Sequence, residues 1–299
     1  MGGSLVREIL NILSKDIYEE IYNLKEIQNI QEIRLNINKP LIVLNHNKEV
    51  ILNYKVKNDD LKSIMQKISN YSLYAFEEEI RQGYITIQGG HRVGLSGQCV
   101  MEKDKVKTIK NISSMNIRVC REVKGCSQNI IKNIIKNGRV LNTVIISPPK
   151  CGKTTMLRDL AKNISNGIEE INFLGKRTVI VDERSEIAGC FQGIPQMDIG
   201  IRTSVYDGCA KSEGMIMAIR SMAPEVIICD EIGTYKDIDS LVLAYNSGVN
   251  IIATIHGNDI DDLYKRPVFN ELLENKIIKR IVVLSNRRGI GTIEDILSI

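Results

Sequence analysis

The sequence predicts an α/β protein: a parallel sheet covered by helices on both faces, preceded by a smaller α+β domain. Three observations carry this. Buried-type apolar strands alternate with helical segments through the second half, a glycine-lysine-threonine loop follows the first of those strands, and the first half mixes helical periodicity with hairpin turns.

In chain order, Leu5, Ile9, Leu13, Ile17, Ile21 and Leu24 recur at helical spacing and predict one amphipathic opening helix. Ile33, Leu35 and Ile37 alternate with Arg34 and Asn36 as in a half-buried strand. Asn38-Lys39-Pro40 marks a turn, and Leu41 to Leu44 and Val50 to Leu52 read as the next strands. Leu61, Ile64, Met65 and Ile68 return to the helical period, and a second short helix carries Leu73, Phe76 and Ile80. Gly89-Gly90 then joins Tyr84 to Gln88 with His91 to Val100 in a hairpin, because paired glycines supply the positive φ of a tight turn. The first domain is expected over residues 1–125, a linker helix over 126–138, and the second domain over 139–299. There, strands at Thr143 to Ile146, Thr178 to Val181, Val226 to Cys229 and Asn250 to Thr254 alternate with helices from Lys153, near Glu213 to Ser221 and near Asp237 to Tyr245. A closing hairpin spans Ile278 to Leu297.

Size and composition narrow the function classes. A chain of 299 residues with 43% hydrophobic content buries real cores, and 40 basic against 36 acidic residues leave +4 with no dominant basic block, so no nucleic-acid signal stands out. Seven singly scattered cysteines form neither CxxC pairs nor a metal-like cluster and suit a reducing cytoplasm. No apolar run approaches the roughly 18 residues of a membrane span, and no signal-peptide core is visible, so neither spanning nor export is expected.

The chemistry concentrates on strand ends. Ser147, Pro148, Pro149, Lys150, Cys151, Gly152, Lys153, Thr154 and Thr155 follow an apolar strand and open a helix, as in a phosphate-binding P-loop. Backbone N–H groups would wrap phosphates, Lys153 would reach the β and γ oxygens of ATP, and Thr154 would bind Mg²⁺. The loop departs from the usual pattern in having Ser147 where glycine is expected, and two prolines that remove N–H donors. Downstream, Val226 to Cys229 deliver Asp230 and Glu231, a Walker B pattern in which Asp230 handles Mg²⁺ and Glu231 orients or deprotonates the attacking water. A second strand ends at Asp182, Glu183 and Glu186, and a third is followed by His256, a candidate γ-phosphate sensor. Arg202, Arg220, Arg287 and Arg288 are candidates for charge supplied by a neighbouring subunit. His46 and His91 read as structural.

In this order, a Walker A loop, an acidic strand end, Walker B and a strand-terminal histidine, the second domain resembles the secretion ATPases of type II and type IV systems. That resemblance implies a RecA-like core, an N-terminal α+β domain, and a hexameric ring with ATP at subunit interfaces. It maps an acidic box to Asp182, Glu183 and Glu186, a histidine box to Thr254, Ile255 and His256, and a pre-Walker-B arginine to Arg220. The chain departs from that pattern in having Asp230-Glu231, Gly233 and Thr234 where Gly-Glu and a following arginine are usual. Glu32-Ile-Arg-Leu35, Gly83 to Gly94, Ser147 to Thr155 and Val181 to Gly189 resemble the stage III sporulation protein AA family over nearly the whole chain. This second resemblance implies a cytoplasmic mother-cell ATPase of endospore formers, peripherally associated with membrane proteins of a channel complex between mother cell and forespore. Two other classes fit a P-loop core. A nucleic-acid-dependent ATPase is disfavoured by four Phe, no Trp and no basic stripe, and a non-hydrolysing nucleotide-switched scaffold is kept open by Ser147 and the two loop prolines.

Overall fold

The computed structural model describes residues 2–69 and 76–299, with side chains in the first helix from Arg7 onward. The chain divides into two compact units, Met1–Arg121 and Glu122–Ile299.

The first unit opens with two helices, not one: α1 (Gly2–Ile12) and α2 (Lys15–Tyr22). The apolar period runs unbroken through Leu13 and Ile17, both buried, which is why the sequence reads as a single helix. Ser14 breaks it, because its hydroxyl caps α2 by accepting from the Ile17 N–H and donates to Asp60 at 2.6 Å. The strands are β1 (Ile30–Asn36), β2 (Pro40–Asn45) and β3 (Lys48–Lys55), followed by α3 (Asn58–Ser69) and α4 (Glu77–Gln82). Leu73, expected on the second of those helices, lies outside the described residues. Next come β4 (Tyr84–Ile87), β5 (His91–Glu102) and β6 (Lys105–Arg118), with Gly89 and Gly90 at φ 82° and 72° in the turn between β4 and β5. All pair antiparallel in the order β3-β2-β1-β6-β5-β4. Ile33, Leu35, Val93, Met115 and Ile117 line the buried face, where Ile17, Ile21, Leu61 and Ile64 are also buried.

The second unit begins with α5 (Gln128–Ile134) and a short ribbon of β7 (Ile135–Lys136) and β8 (Arg139–Val140). Then follow β9 (Thr143–Ser147), α6 (Lys153–Asn166), a second ribbon of β10 (Gly167–Ile168) and β11 (Phe173–Leu174), β12 (Thr178–Asp182), β13 (Thr203–Asp207) and α7 (Lys211–Ser221). β14 (Val226–Cys229), α8 (Tyr235–Asn246), β15 (Asn250–His256), α9 (Ile260–Tyr264), α10 (Asn270–Glu274), β16 (Arg280–Ser285) and β17 (Thr292–Ser298) complete the unit. The sheet order is β13-β12-β14-β15-β9-β16-β17, parallel except for β17. β13 has no counterpart in the sequence reading. It is a half-buried edge strand, Thr-Ser-Val-Tyr-Asp, without the apolar run that marks β9 or β14.

One face of the sheet packs Val144, Ile146, Ile227 and Ile255 against α7 and α8, while α6 crosses the other. Parallel pairing brings the C-terminal ends of β9, β12, β13, β14 and β15 to a single edge, where open α/β sheets bind ligands.

Candidate nucleotide site

The loop between β9 and α6 meets this edge at its centre. Lys150 (φ 61°) and Gly152 (φ 89°) adopt left-handed backbone, and a Cβ on Gly152 would come within 3.0 Å of the Ile290 side chain. Pro148 and Pro149 carry no N–H, so the donors available to an anion come from Lys150 onward, including the first-turn N–H groups of α6. The buried Lys153 ammonium folds back into the loop. It donates to the carbonyl oxygens of Ser147 and Pro148, each at 3.2 Å, and to the Ser147 hydroxyl at 3.3 Å, and lies 3.1 Å from His256 Nδ1. Burial holds its pKa below the usual lysine value, opposed by Asp230 and Glu231.

Two carboxylates follow β14. Asp230 accepts from the Thr154 hydroxyl at 2.7 Å and from the hydroxyl of Thr254. That same Thr254 oxygen accepts the Glu231 N–H at 2.8 Å, and the Thr254 carbonyl accepts from Ile232 at 2.9 Å. These bonds hold Glu231 at φ 51°, an uncommon conformation for a glutamate that is sustained only where surrounding contacts fix it. Its side chain lies 2.7 Å from His256 Nε2 and 3.3 Å from Arg184. Lys153, His256, Glu231 and Arg184 thus form one chain of polar contacts along the edge.

The acidic loop after β12 divides its labour. Asp182 is 2% exposed and accepts the N–H groups of Glu186, Ile187 and Ala188, each at 2.9 Å, so it shapes the loop. Burial outweighs those bonds and pushes its pKa up to about 6. Glu183 pairs with Lys211 at the start of α7. Glu183, Arg184, Glu186 and Lys211 line one cleft with Asp182, Asp230 and Glu231. From α6, buried Arg158 donates to the carbonyls of Ile187 at 2.6 Å and Glu186 at 2.7 Å, tying α6 to the acidic loop. Asp207, paired in register with Asp182, accepts the Ser185 hydroxyl at 2.5 Å.

Of the residues expected to carry chemistry, Lys153, Thr154, Asp230, Glu231 and His256 share direct contacts, and Glu183 and Glu186 border the same cleft. Arg220 does not join them. It is exposed in the last turn of α7, which runs from the C-terminal end of β13 back to the start of β14. Arg202 precedes β13 at that opposite edge and donates to the Ser165 carbonyl at 2.9 Å. His46 bonds Glu26 at 2.7 Å, and buried His91 accepts the Cys120 N–H at 3.0 Å, so both serve the first unit's structure. The sequence reading did not pick out Lys211, Arg158 or Asp207. Arg158 left one signal, a charged residue on the apolar side of an amphipathic helix.

The donor set fits a nucleotide and its magnesium ion. Helix-start N–H groups, a buried lysine and a glycine in left-handed backbone suit phosphates. A hydroxyl bonded to a carboxylate suits a cation that takes few protein ligands besides phosphate oxygens. Among the described residues no group of three or more His, Cys, Asp and Glu could hold a metal without such a ligand.

Known proteins resemble the chain at both levels. Residues 5–298 match the family model described as sporulation stage III, protein AA. Stage III sporulation protein AA of Bacillus subtilis (strain 168) is 44% identical over 293 residues, covering 97% of this chain and 94% of that protein. Among solved structures, the ATPase DotB of Yersinia pseudotuberculosis superposes with a TM-score of 0.62 at 12% identity, covering 90% of this chain and 75% of its own. The pilus retraction motor PilT with bound ADP gives 0.57 at 15% identity, covering 92% and 77%. The fold is therefore the mixed α/β fold seen in the ATPase DotB and in PilT, and the chain belongs to the family of sporulation stage III protein AA.

Proposed function

We propose that the chain is a Mg²⁺-dependent ATPase that drives assembly of, or transport through, a membrane complex during endospore formation. The observation that carries this reading is the bond from Thr154 on the phosphate helix to Asp230 after β14, with Glu231 held beside it by Thr254 and His256. It joins a phosphate cradle, a cation-binding pair and a base at one sheet edge. Magnesium, when bound, would neutralise charge on the phosphate oxygens; Thr154 and Asp230 would hold it.

The chain's own groups do the rest. Lys153 exchanges its contacts to Ser147 and Pro148 for phosphate oxygens. Glu231 orients a water and takes its proton, and His256 holds the carboxylate in place from Nε2. Glu183 and Glu186 border the cleft at its acidic side.

PilT's bound ADP and the names of the similar ATPases support a nucleotide here, and the family's name supports the setting. The reading extends to a homo-hexamer, with exposed Arg220 offered to a neighbouring copy, and to peripheral attachment, in the mother-cell cytoplasm, to membrane proteins of the complex. No helix among the described residues is long and apolar enough to cross a membrane.

Phosphate release from Mg-ATP tests it: Lys153→Ala and Glu231→Gln abolish turnover while Glu231→Gln keeps nucleotide affinity. Unchanged hydrolysis in both variants would refute the site. Tight ATP binding with no turnover by the native chain, also in the presence of its membrane partners, would replace the motor with a nucleotide-switched scaffold.

A further inference from the structure

The tip between β16 and β17 stands over the phosphate loop. The Gly291 N–H donates to the Cys151 carbonyl at 3.1 Å, and the Ile290 side chain covers Gly152 so closely that a Cβ there would meet it at 3.0 Å. Despite that contact Ile290 is 77% exposed, an apolar side chain held in solvent beside a polar cradle. The tip is a built loop. Arg287 N–H donates to the Ser285 hydroxyl at 3.1 Å, the Thr292 hydroxyl donates to the Gly289 carbonyl at 2.7 Å, and the Gly289 N–H donates to the Asn286 carbonyl at 3.2 Å. Arg287 and Arg288 are exposed on it.

Sheet order gives the tip a direction. Asp182, Asp230 and His256 end strands on one side of β9, and β16 and β17 lie on the other. A phosphate chain whose terminal group faces Glu231 and His256 runs past the loop with its opposite end toward the tip. We propose that the β16–β17 tip is the nucleoside-binding element of the site. Ile290 packs on the base, and the planar guanidinium groups of Arg287 and Arg288 stack against it, a pairing that suits a purine's flat, polarizable face. This rests on the nucleotide reading above and adds which end of the ligand the tip recognises.

Titration calorimetry of the full chain with Mg-ATP and with Mg-tripolyphosphate separates the two claims. The wild type binds ATP more tightly than tripolyphosphate. Ile290→Ser combined with Arg287→Lys and Arg288→Lys, which keep the charge but remove the planar stack, weakens ATP about fivefold or more. Tripolyphosphate affinity stays unchanged, and serves as the control for folding. Equal weakening of both ligands, or of neither, overturns the tip assignment and leaves the nucleotide reading standing. Failure of the wild type to bind either ligand overturns both.

Discussion

Thr254 is the residue on which both carboxylates after β14, Asp230 and Glu231, depend. It is fully buried in β15, its hydroxyl donates to Asp230, and its oxygen accepts the Glu231 N–H at 2.8 Å. Thr254→Val keeps the β-branched shape but deletes both bonds. Losing a bond to a carboxylate costs about 1.5–3 kcal/mol, and stranding an N–H costs about 1–3 kcal/mol. Part of this is recovered as Asp230 keeps Thr154 and Glu231 relaxes from φ 51°, so a net loss of about 2–4 kcal/mol is expected. Urea unfolding followed by circular dichroism reads that loss. On the proposed ATPase reading the functional effect is larger than the structural one, because Glu231 then loses the anchor that aims it. A misplacement on the order of 1 Å costs about a hundredfold in rate. kcat for ATP falls by that order while the affinity for ADP, held by the loop, changes little. Thr254→Ser, which restores the hydroxyl, recovers most of the turnover. A Thr254→Val protein with native stability and native kcat would refute the coupling of these residues through one hydroxyl.

Two other expectations follow from buried charges. Arg158→Met keeps the stem and removes two bonds to the Ile187 and Glu186 carbonyls; it should cost about 2–4 kcal/mol in urea unfolding and speed proteolytic nicking between residues 183 and 190. Asp182 titrates in the fold near 6 against an ordinary value of 3.8, so the folded state keeps its proton where the unfolded chain has lost it. Its effect on stability is therefore nil below about pH 4, grows as a loss between about pH 4 and 6, and levels at about 3 kcal/mol above that. Asp182→Asn removes this slope. The stability gap between wild type and variant, measured at pH 4 and pH 7, should move in the variant's favour as pH rises, and a constant gap would contradict it.

The sequence made the strand-end chemistry legible because it is local. Apolar strands such as Val226 to Cys229 run straight into Asp230 and Glu231, and Lys153 opens a helix directly after a glycine. Contacts closed across the sheet were not legible. Lys211 meets Glu183, and Arg158 meets Glu186, only through parallel pairing and the long loop after β12. The break at Ser14 was hidden for a different reason: apolar spacing continues through a cap whose partner, Asp60, lies far along the chain. β13 went unseen because an edge strand has no apolar run to announce it.

The two loop prolines are less of an obstacle to phosphate binding than the sequence suggests. A proline removes a donor, but the early loop is not where the donors are needed. Its polar groups are used internally, with the Ser147 hydroxyl donating to Pro148 at 2.9 Å and Lys153 binding the carbonyls of both residues. Every N–H from Lys150 to Thr155 survives, and these are the groups a helix start aims at an anion. What the prolines do is fix φ on the side of the loop against which Lys153 rests. The lysine is therefore held, with lowered pKa, in a cradle of carbonyl oxygens that a phosphate must outcompete. On the proposed nucleotide reading, the loop's departure from the usual glycine pattern leaves intact the N–H groups from Lys150 to Thr155 that would receive a phosphate.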